Sequence, residues 1–286
     1  MDVYGDFTNN GTFNAGFGTV NFVGCASSNL LHNVGGSSTT TFFNLILDDD
    51  AGLSVDANAI VLNDLFLTNG TMTNNGVSFI MRSTSNNTAR LRPIGAGATF
   101  SGNMTIERFA PGPKTGWALL GSPAAGTTLN SWQDDFATSG FPGSTGFANG
   151  FRSVYTYNET VPGAYDATGS YVPATNTTNP TPIGRGFWVF LGTALVNTAD
   201  ITIDVTGQPQ LGNFNFPLSY TNTGSPFGDS FNLIANPYPS AIDWDSPNWT
   251  KTNIENAVYT WQADNNQSAA YVNGVSINGG SRYLAS

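Results

Sequence analysis

The feature that most limits what this chain can become is its rhythm of short apolar bursts. Phe43, Leu45 and Leu47 alternate with Asn44 and Ile46. Leu53 and Val55 follow, then Ile60 and Leu62, Leu65 and Leu67, and Val77, Phe79 and Met81. The pieces Asp49-Asp50-Ala51-Gly52, Asn69-Gly70 and Asn75-Gly76 separate them. Period-two alternation turns one face of each segment toward a core, and Gly, Asn and Asp reverse the chain between segments. No window keeps apolar residues at helical spacing for three turns. The chain is expected to be all-β. Over residues 1–109 the rhythm suits a β-solenoid, whose coils rest only on their neighbours and tolerate loose repeats. One echo fits that view: Asn10-Gly11-Thr12-Phe13 after the Val3 to Phe7 segment, and Asn69-Gly70-Thr71-Met72 after Leu62 to Leu67.

Ala110-Pro111-Gly112-Pro113-Lys114 reads as a linker, because two prolines and a glycine cannot sustain a ladder. A boundary is expected within residues 109–116. Beyond it the texture changes, and all six tryptophans lie between Trp117 and Trp261. Two strand-proline-tryptophan units organise this half. One runs from Gly116-Trp117-Ala118-Leu119-Leu120 through Pro123 to Trp132-Gln133-Asp134-Asp135. The other runs from Phe231-Asn232-Leu233-Ile234-Ala235 through Pro237 and Pro239 to Asp243-Trp244-Asp245. Trp117 and Phe231 should then be equivalent core positions, as should Trp132 and Trp244. Val154-Tyr155-Thr156-Tyr157 corresponds to Val258-Tyr259-Thr260-Trp261, and Tyr171-Val172 to Tyr271-Val272. Ile201 to Val205 and Phe214 to Phe216 should be strands between the units. The expected organisation is a solenoid over 1–109, a first β-sandwich unit over 110–215 and a second, truncated one over 216–286, jelly-roll-like and duplicated.

The first unit closes with Gly184-Arg185-Gly186 entering the apolar run Phe187-Trp188-Val189-Phe190. The second reaches Arg282 to Ser286 without such a run. It is therefore expected to be completed by a strand from outside the chain as given, a following segment of a longer parent or another copy's Val3 to Phe7; the alternative is that the two units share one sandwich and a segment such as Ile201 to Val205 fills the place. Strand addition of that kind would make self-association a property of the chain.

Composition narrows the function. Charged residues are 10% of the 286, and the net charge is −10 with nine lysines and arginines. Nucleic acid and anionic membranes need clustered cations, so neither is an expected partner. No apolar run reaches membrane-span length, so no membrane insertion is expected. Few charges with abundant Gly, Asn, Thr and Ser suit an extracellular β-protein. Cys25 has no partner for an internal disulfide and reads as a small buried hydrophobe. The start, Met1-Asp2, has neither the basic nor the apolar region of a signal peptide.

The leader Gly5-Asp6-Phe7-Thr8-Asn9-Asn10-Gly11-Thr12-Phe13-Asn14, the segment Phe42 to Leu47, and Asn236-Pro237-Tyr238-Pro239-Ser240-Ala241-Ile242-Asp243-Trp244 carry a resemblance. They resemble large secreted cell-surface proteins of Bacteroidetes, of the type exported by the type IX secretion system. The resemblance implies a secreted fragment of a longer parent, lacking signal peptide and C-terminal sorting domain. It also implies an adhesin or stalk role. It brings a location more than an activity.

No catalytic motif stands out. His32 is the sole histidine, within Leu30-Leu31-His32-Asn33, and reads as a surface or turn residue. Gly-x-Ser-x-Gly and His-Glu-x-x-His are absent, so neither a nucleophile elbow nor a zinc protease site is expected. The chain is not expected to be an enzyme. Carboxylates remain: Asp134, Asp135, Asp243 and Asp245, with Glu107, Glu159 and Glu255 nearby in sequence, are candidates for turn capping, for calcium, which takes oxygen ligands, or for paired-acid glycoside chemistry. Asp48-Asp49-Asp50 reads as a solvated turn, with calcium as its alternative. Trp132, Tyr157, Trp244, Trp249 and Trp261 are candidates for a carbohydrate-stacking platform, though two similar units should bury most of them. Thr39-Thr40-Thr41, Thr71 and Thr73 are too irregular for an ice-binding ladder. The sequence thus favours a non-enzymatic structural or adhesive module. The alternative is a carbohydrate-binding or carbohydrate-active protein, with polysaccharide or a cell-surface glycan as partner.

Overall fold

The alternating segments of the first 110 residues wind into coils. Each coil gives one strand to each of two parallel sheets. The computed structural model describes residues 1–24, 29–112, 116–146, 150–161, 169–192, 200–222, 229, 231–262 and 266–285. Cys25, and Pro113 and Lys114 of the linker, lie outside them. One sheet takes β1 (Asp2–Val3), β3 (Thr19–Val23), β5 (Thr40–Asp48), β7 (Ala59–Asn69), β9 (Phe79–Met81) and β12 (Met104–Ala110), paired in that order and all parallel. The other takes β2 (Phe7–Thr8), β4 (His32–Gly35), β6 (Leu53–Val55), β8 (Thr71–Asn74) and β11 (Thr99–Ser101), again parallel. Short β10 (Arg90–Leu91) pairs with β7. Residues 2–106 are thus a β-solenoid of about five turns. The chain is all-β, and its one helical turn among the described residues is a 3₁₀ turn, Leu129–Trp132.

Hydrophobic burial holds the coils together. Phe22, Phe42, Leu45, Leu47, Leu53, Val55, Val61, Leu65, Leu67, Met72, Phe79 and Met81 fill the space between the two sheets. Each such side chain contributes about 1.5–3 kcal/mol relative to exposure. The alternation slips at one point. Phe43 was expected on the same face as Leu45 and Leu47. A bulge between Phe42 and Asn44 turns Phe42 inward instead. Phe43 faces out and meets Phe17 edge-on at 5.1 Å. The extra residue of the bulge lies in β7, between Val61 and Asp64, and β5 changes its inward parity across it.

Two repeat readings are corrected. Val3 to Phe7 is not one strand: β1 and β2 belong to different sheets, and the chain turns a corner between them. The Asn-Gly-Thr echo does not mark equivalent positions, since Asn10-Gly11 leaves β2 whereas Asn69-Gly70 enters β8. The coils repeat by ladder register, Phe7 to Val34 to Val55 to Asn74, which constrains side-chain direction more than identity.

The remaining strands are antiparallel. The sheet β13 (Gly116–Leu120), β14 (Ala124–Ala125), β15 (Val154–Tyr157), β16 (Tyr171–Pro173), β17 (Phe187–Leu191), β18 (Ile201–Pro209) does not form as one body. β13, β17, β15 and β16 make a four-stranded sheet in that order. β18 instead pairs along the whole of β12, from Met104–Gly207 to Ala110–Ile201, and β14 pairs with β18. The solenoid sheet is therefore closed by an antiparallel strand from the first unit, which the 110–215 division did not foresee. Ile203, Val205, Ala124, Leu129, Trp132 and Phe187 share one core with the coils. Further on, β19 (Ile242–Asp243), β20 (Ala257–Gln262), β21 (Gln267–Val272), β22 (Val275–Ile277) and β23 (Tyr283–Leu284) form a meander β20-β21-β22 and a pair β19-β23. Phe214 to Phe216 is not a strand. Phe231 to Ala235 is not a strand either; it makes a single bridge, Ile234 to Arg185, with Gly186 N–H donating to Leu233 O and Ala235 N–H to Gly184 O. Phe231 is 37% exposed and does not take the core place expected of it.

Close stacking of the coils yields a test. A Cβ at Gly70, where φ is +78°, would lie 1.9 Å from the Asp49 carbonyl oxygen of the neighbouring coil. At Gly76, φ +86°, nothing lies within 4 Å. Gly76→Ala should cost about 1–2 kcal/mol from its positive φ alone, and Gly70→Ala at least about twice that. Urea unfolding of both variants checks it; equal losses would contradict the coil contact at Gly70.

Candidate functional site

The first acidic turn is positioned by the 3₁₀ turn. Thr128 begins it, with Ser131 Oγ accepting from the Thr128 N–H at 3.4 Å. Its last residue, Trp132, is driven into the core, 1% exposed, against Phe136 and edge-on to Phe187 at 5.4 Å. Trp132 therefore offers no ring face to a sugar. Two residues on, Asp134 is exposed and Asp135 is half-buried against β18. The backbone N–H of Asp204 donates to Asp135 Oδ2 at 2.8 Å. Glu107 stands directly opposite Asp204 across the β12–β18 ladder. Glu107 Oε2 accepts from Ser83 N–H at 3.0 Å and lies 3.1 Å from Arg82 Nε. Burial pushes the Asp135 carboxyl up to about 7, the Asp204 N–H opposes this, and the charges of Asp204, Asp134 and Glu107 add to it. Glu107 and Asp204 are raised too, chiefly by burial. Glu107 was among the candidate acids, but sequence spacing hid Asp204, because the two meet only through the ladder.

The second acidic turn is tied to its own chain. Arg282 grips Asp243 with both Nε, at 2.8 Å from Oδ1, and Nη2 on Oδ2. Asp245 N–H donates to Asp243 Oδ1 at 3.0 Å, and Tyr271 Oη donates to Asp245 Oδ2. The Arg282 hydrogen bonds hold the Asp243 carboxyl below the usual range. The Asp245 contact holds the Tyr271 hydroxyl above its own. Trp249 Nε1 donates to the Asp243 carbonyl at 2.7 Å. Lys251 Nζ sits 4.1 Å from the centroid of Trp244, whose carbonyl it also reaches at 2.6 Å. Trp244 is buried, and Trp249 lies against both it and Phe216. The two aspartates are thus spent on internal donors. Asp134/Asp135 and Asp243/Asp245 belong to separate turns, and among the described residues no group of three or more His, Cys, Asp or Glu is placed to hold a metal.

His32 and Asp49 depart from expectation. His32, read as a surface or turn histidine, is 2% exposed. Its Nδ1 lies 2.9 Å from the Gly5 carbonyl and its Nε2 2.7 Å from Asp49 Oδ2. The turn expected to be solvated exposes Asp48 and Asp50 but turns Asp49 inward. The pair joins three successive coils. Both side chains are buried, and a Phe22 ring lies 5.4 Å from the imidazole, so the pair is structural.

The aromatic surface shares Tyr157 and Trp261 with the platform expected, while Trp132, Trp244 and Trp249 lie apart from it. β17 alternates, burying Phe187, Val189 and Leu191 and turning Trp188 and Phe190 to the other face. There Trp117 stacks parallel to Trp188 at 5.5 Å, with Tyr155, Phe190 and Phe151 around it. Tyr157 meets Tyr171 at 5.4 Å, and Trp261 from β20 closes edge-on over Trp188 at 4.9 Å. The signal for Trp117 and Trp188 was the period-two pattern of their strands. Of two hollows, one of about 200 Å³ is lined by Thr19, Asn44, Ile46, Asp64, Phe66 and Arg92. The other, about 500 Å³, lies between Asn74, Gly76, Asn103, Thr105 and Thr206. Both are on the solenoid, and neither includes a candidate aspartate or tryptophan.

Fold and site together define an all-β protein, a solenoid continued by antiparallel sheets, whose second acidic turn is occupied with internal contacts. Residues 22–282 match the family described as a domain of unknown function, DUF8693, and the chain belongs to that family. Searches of curated proteins and of solved structures found no match.

The raised Asp135 carboxyl makes a pH prediction. Its folded pKa, about 7, lies above the ordinary 3.8, so the folded chain holds a proton that the unfolded chain has released. Stability from this group is full below about pH 4 and is lost as pH rises through about 7. Discounted for solvent screening, the loss is about 1–2 kcal/mol. Asp135→Asn should remove it and raise Tm at pH 8 by about 2–5 °C, with little change at pH 4. Calorimetry at both pH values checks this; an equal or lower Tm at pH 8 contradicts it.

Proposed function

We propose that this protein is a non-enzymatic structural or adhesive module of a secreted cell-surface protein, of the Bacteroidetes type exported by the type IX secretion system. The observation that carries this is where the aromatic and acidic side chains are used. Trp188 and Trp261 join two sheets, Phe216 and Trp249 join a loop to a turn, and Arg282 and Tyr271 take the carboxylates of Asp243 and Asp245. A sugar platform needs open ring faces beside free acids. An extended module that bears load needs its large side chains between its layers. The solenoid supplies a rigid spacer, and strand addition at its antiparallel end supplies a route to assembly.

The test separates this from a carbohydrate-active protein. The protein is incubated with a polysaccharide panel, with and without calcium. No release of reducing ends is expected, and chelation should change neither glycan retention nor Tm. Calcium-dependent release of oligosaccharides that Asp135→Asn or Asp243→Asn abolishes would overturn the proposal.

A further inference from the structure

The outer face of the long sheet carries two neighbouring rows of side chains. Ladder register fixes the first: Thr19 of β3, Asn44 of β5, Asp64 of β7 and Arg90 of β10 stand opposite one another in turn. Further along the same strands, Ile46 stands beside Phe66. Arg92 ends this second row. Its backbone N–H donates to Leu65 O at 2.8 Å, and its guanidinium lies over Phe66, 5.4 Å from the ring centroid. One row is polar, and the other is apolar with a cation at its end. Both line the hollow of about 200 Å³.

Hydrogen bonding leaves the hollow one-sided. Asn44 Oδ1 accepts from Asn63 Nδ2 at 2.7 Å and from the Asp64 N–H at 3.3 Å. Thr19 Oγ1 accepts from Asn44 Nδ2 at 3.1 Å. Asp64 Oδ1 accepts from Arg90 Nε at 2.5 Å, and its Oδ2 from Arg90 Nη2 at 3.4 Å and Arg92 Nη1 at 3.2 Å. Every side-chain acceptor of the polar row is engaged. Donors are left over: among the described residues Arg92 spends a single guanidinium N–H, Asn44 one amide N–H, and Thr19 keeps its hydroxyl proton to give. Burial disfavours the Asp64 anion, but the hydrogen bonds and charges of Arg90 and Arg92 outweigh it and hold the carboxyl below its usual range. One carboxylate thus faces two guanidiniums, a local positive surplus on a chain of net charge −10. The Arg92 side chain is 46% exposed, so the surplus is open to solvent.

A fitting ligand brings acceptors and negative charge to the donors, and an apolar face to Ile46 and Phe66. A small inorganic anion lacks the apolar face, and a neutral sugar lacks the charge. A uronic acid ring has both, with C–H groups on its face, oxygens around its rim and a carboxylate. Arginine takes a carboxylate through paired N–H groups. The larger hollow has no such match: no charged side chain lines it, and the Thr105 and Thr206 hydroxyls there bond each other at 2.8 Å.

We propose that the hollow on β3, β5 and β7 is a binding subsite for one uronic acid residue of an acidic polysaccharide. The sugar carboxylate takes the free edge of the Arg92 guanidinium. Its hydroxyl oxygens accept from Thr19 and Asn44, and its C–H face lies on Ile46 and Phe66. Recognition is by binding alone. This rests on the reading of the protein as an adhesive module and names the class of polymer to which it adheres.

The probe is a short oligogalacturonate, titrated in the presence of a chelator into the isotope-labelled full chain and followed by NMR. Saturable shifts of the amides of residues 44–46, 64–66 and 92 are expected, with a Kd on the order of 1 mM for a single-sugar subsite. Arg92→Gln keeps a donor for Asp64 but removes the charge, and should weaken binding by about tenfold. Arg92→Lys should recover part of the loss, and the spectrum of each free variant reports whether its fold is kept. Two ligand controls need no variant. The carboxyl-reduced oligomer, a neutral galactose chain, and polyglutamate, which has the charge without the sugar face, should each bind at least about tenfold more weakly. The proposal falls if oligogalacturonate gives no saturable shift or shifts only residues away from the hollow. It falls equally if either control ligand, or a folded Arg92→Gln protein, matches the parent pair. Polysaccharide cleavage judges the module reading separately: a silent titration removes the subsite and leaves a structural module, whereas cleavage with binding intact overturns the module and leaves the subsite.

Discussion

The ladder between β12 and β18 is the constraint on which the rest depends. A parallel solenoid sheet ends in a strand whose outer N–H and C=O groups have no partner, and such an edge invites uncontrolled pairing. Seven consecutive residues of β12 pair with β18 instead. The strand comes back from far along the sequence and runs the opposite way, so no further coil can stack on it in register. Val205 and Ile203 at the same time extend the coil core into the antiparallel half. The two halves are therefore one hydrophobic body at this junction, although the chain between β12 and β13 reads as a linker. Gly207 shows how close the packing is: a Cβ there would stand 2.2 Å from the Ala125 carbonyl oxygen.

That ladder also sets the electrostatics. Glu107 and Asp204 face one another because the register of β12 and β18 puts them there. Like charges directly opposite in a sheet destabilise it. Arg82 and the Ser83 N–H compensate Glu107, while Asp135 is left in the field of its neighbours with one backbone donor. The raised Asp135 carboxyl follows chiefly from its burial against β18, to which the charges of Asp204, Asp134 and Glu107 add. The second acidic turn, with Arg282 in reach of both aspartates, has the opposite sign.

What was legible from the residues was local. The alternation at Leu45 and Leu47, and glycines at Gly70 and Gly76 that adopt positive φ, mark strands and turns through their own backbone preferences. The solenoid follows from their rhythm. Illegible were the features set by residues distant in sequence. His32 is buried because Gly5 and Asp49 from adjacent coils supply its partners. Phe42 takes the inside position because of a bulge against β7. β18 leaves its own unit because β12 offers a long open edge. The candidate tryptophans split the same way. Burial of Trp132 and Trp244 was foreseeable from a duplicated core, whereas the stack of Trp117 on Trp188 needs the β13–β17 register.

The scarcity of charge, which in the sequence reads as an extracellular trait, has a sufficient cause in the fold itself. Equivalent positions of neighbouring parallel strands stand about 4.8 Å apart. A charge at one position of each coil would make a row of like charges at that spacing, and each adjacent pair would oppose the stack. Neutral amides and hydroxyls instead link one coil to the next. Asn44 donates to Thr19 at 3.1 Å and accepts from Asn63 at 2.7 Å, and Asn75 donates to Ser54 at 2.8 Å. On the outer face of the coils Asp64 is matched by two cations: it holds both Arg90, at 2.5 Å, and Arg92, at 3.2 Å. Asn and Thr are abundant because each can donate along the stack as well as accept, which a row of carboxylates cannot. The composition is thus a requirement of coil-on-coil pairing, and location must be argued from other evidence than the count of charges.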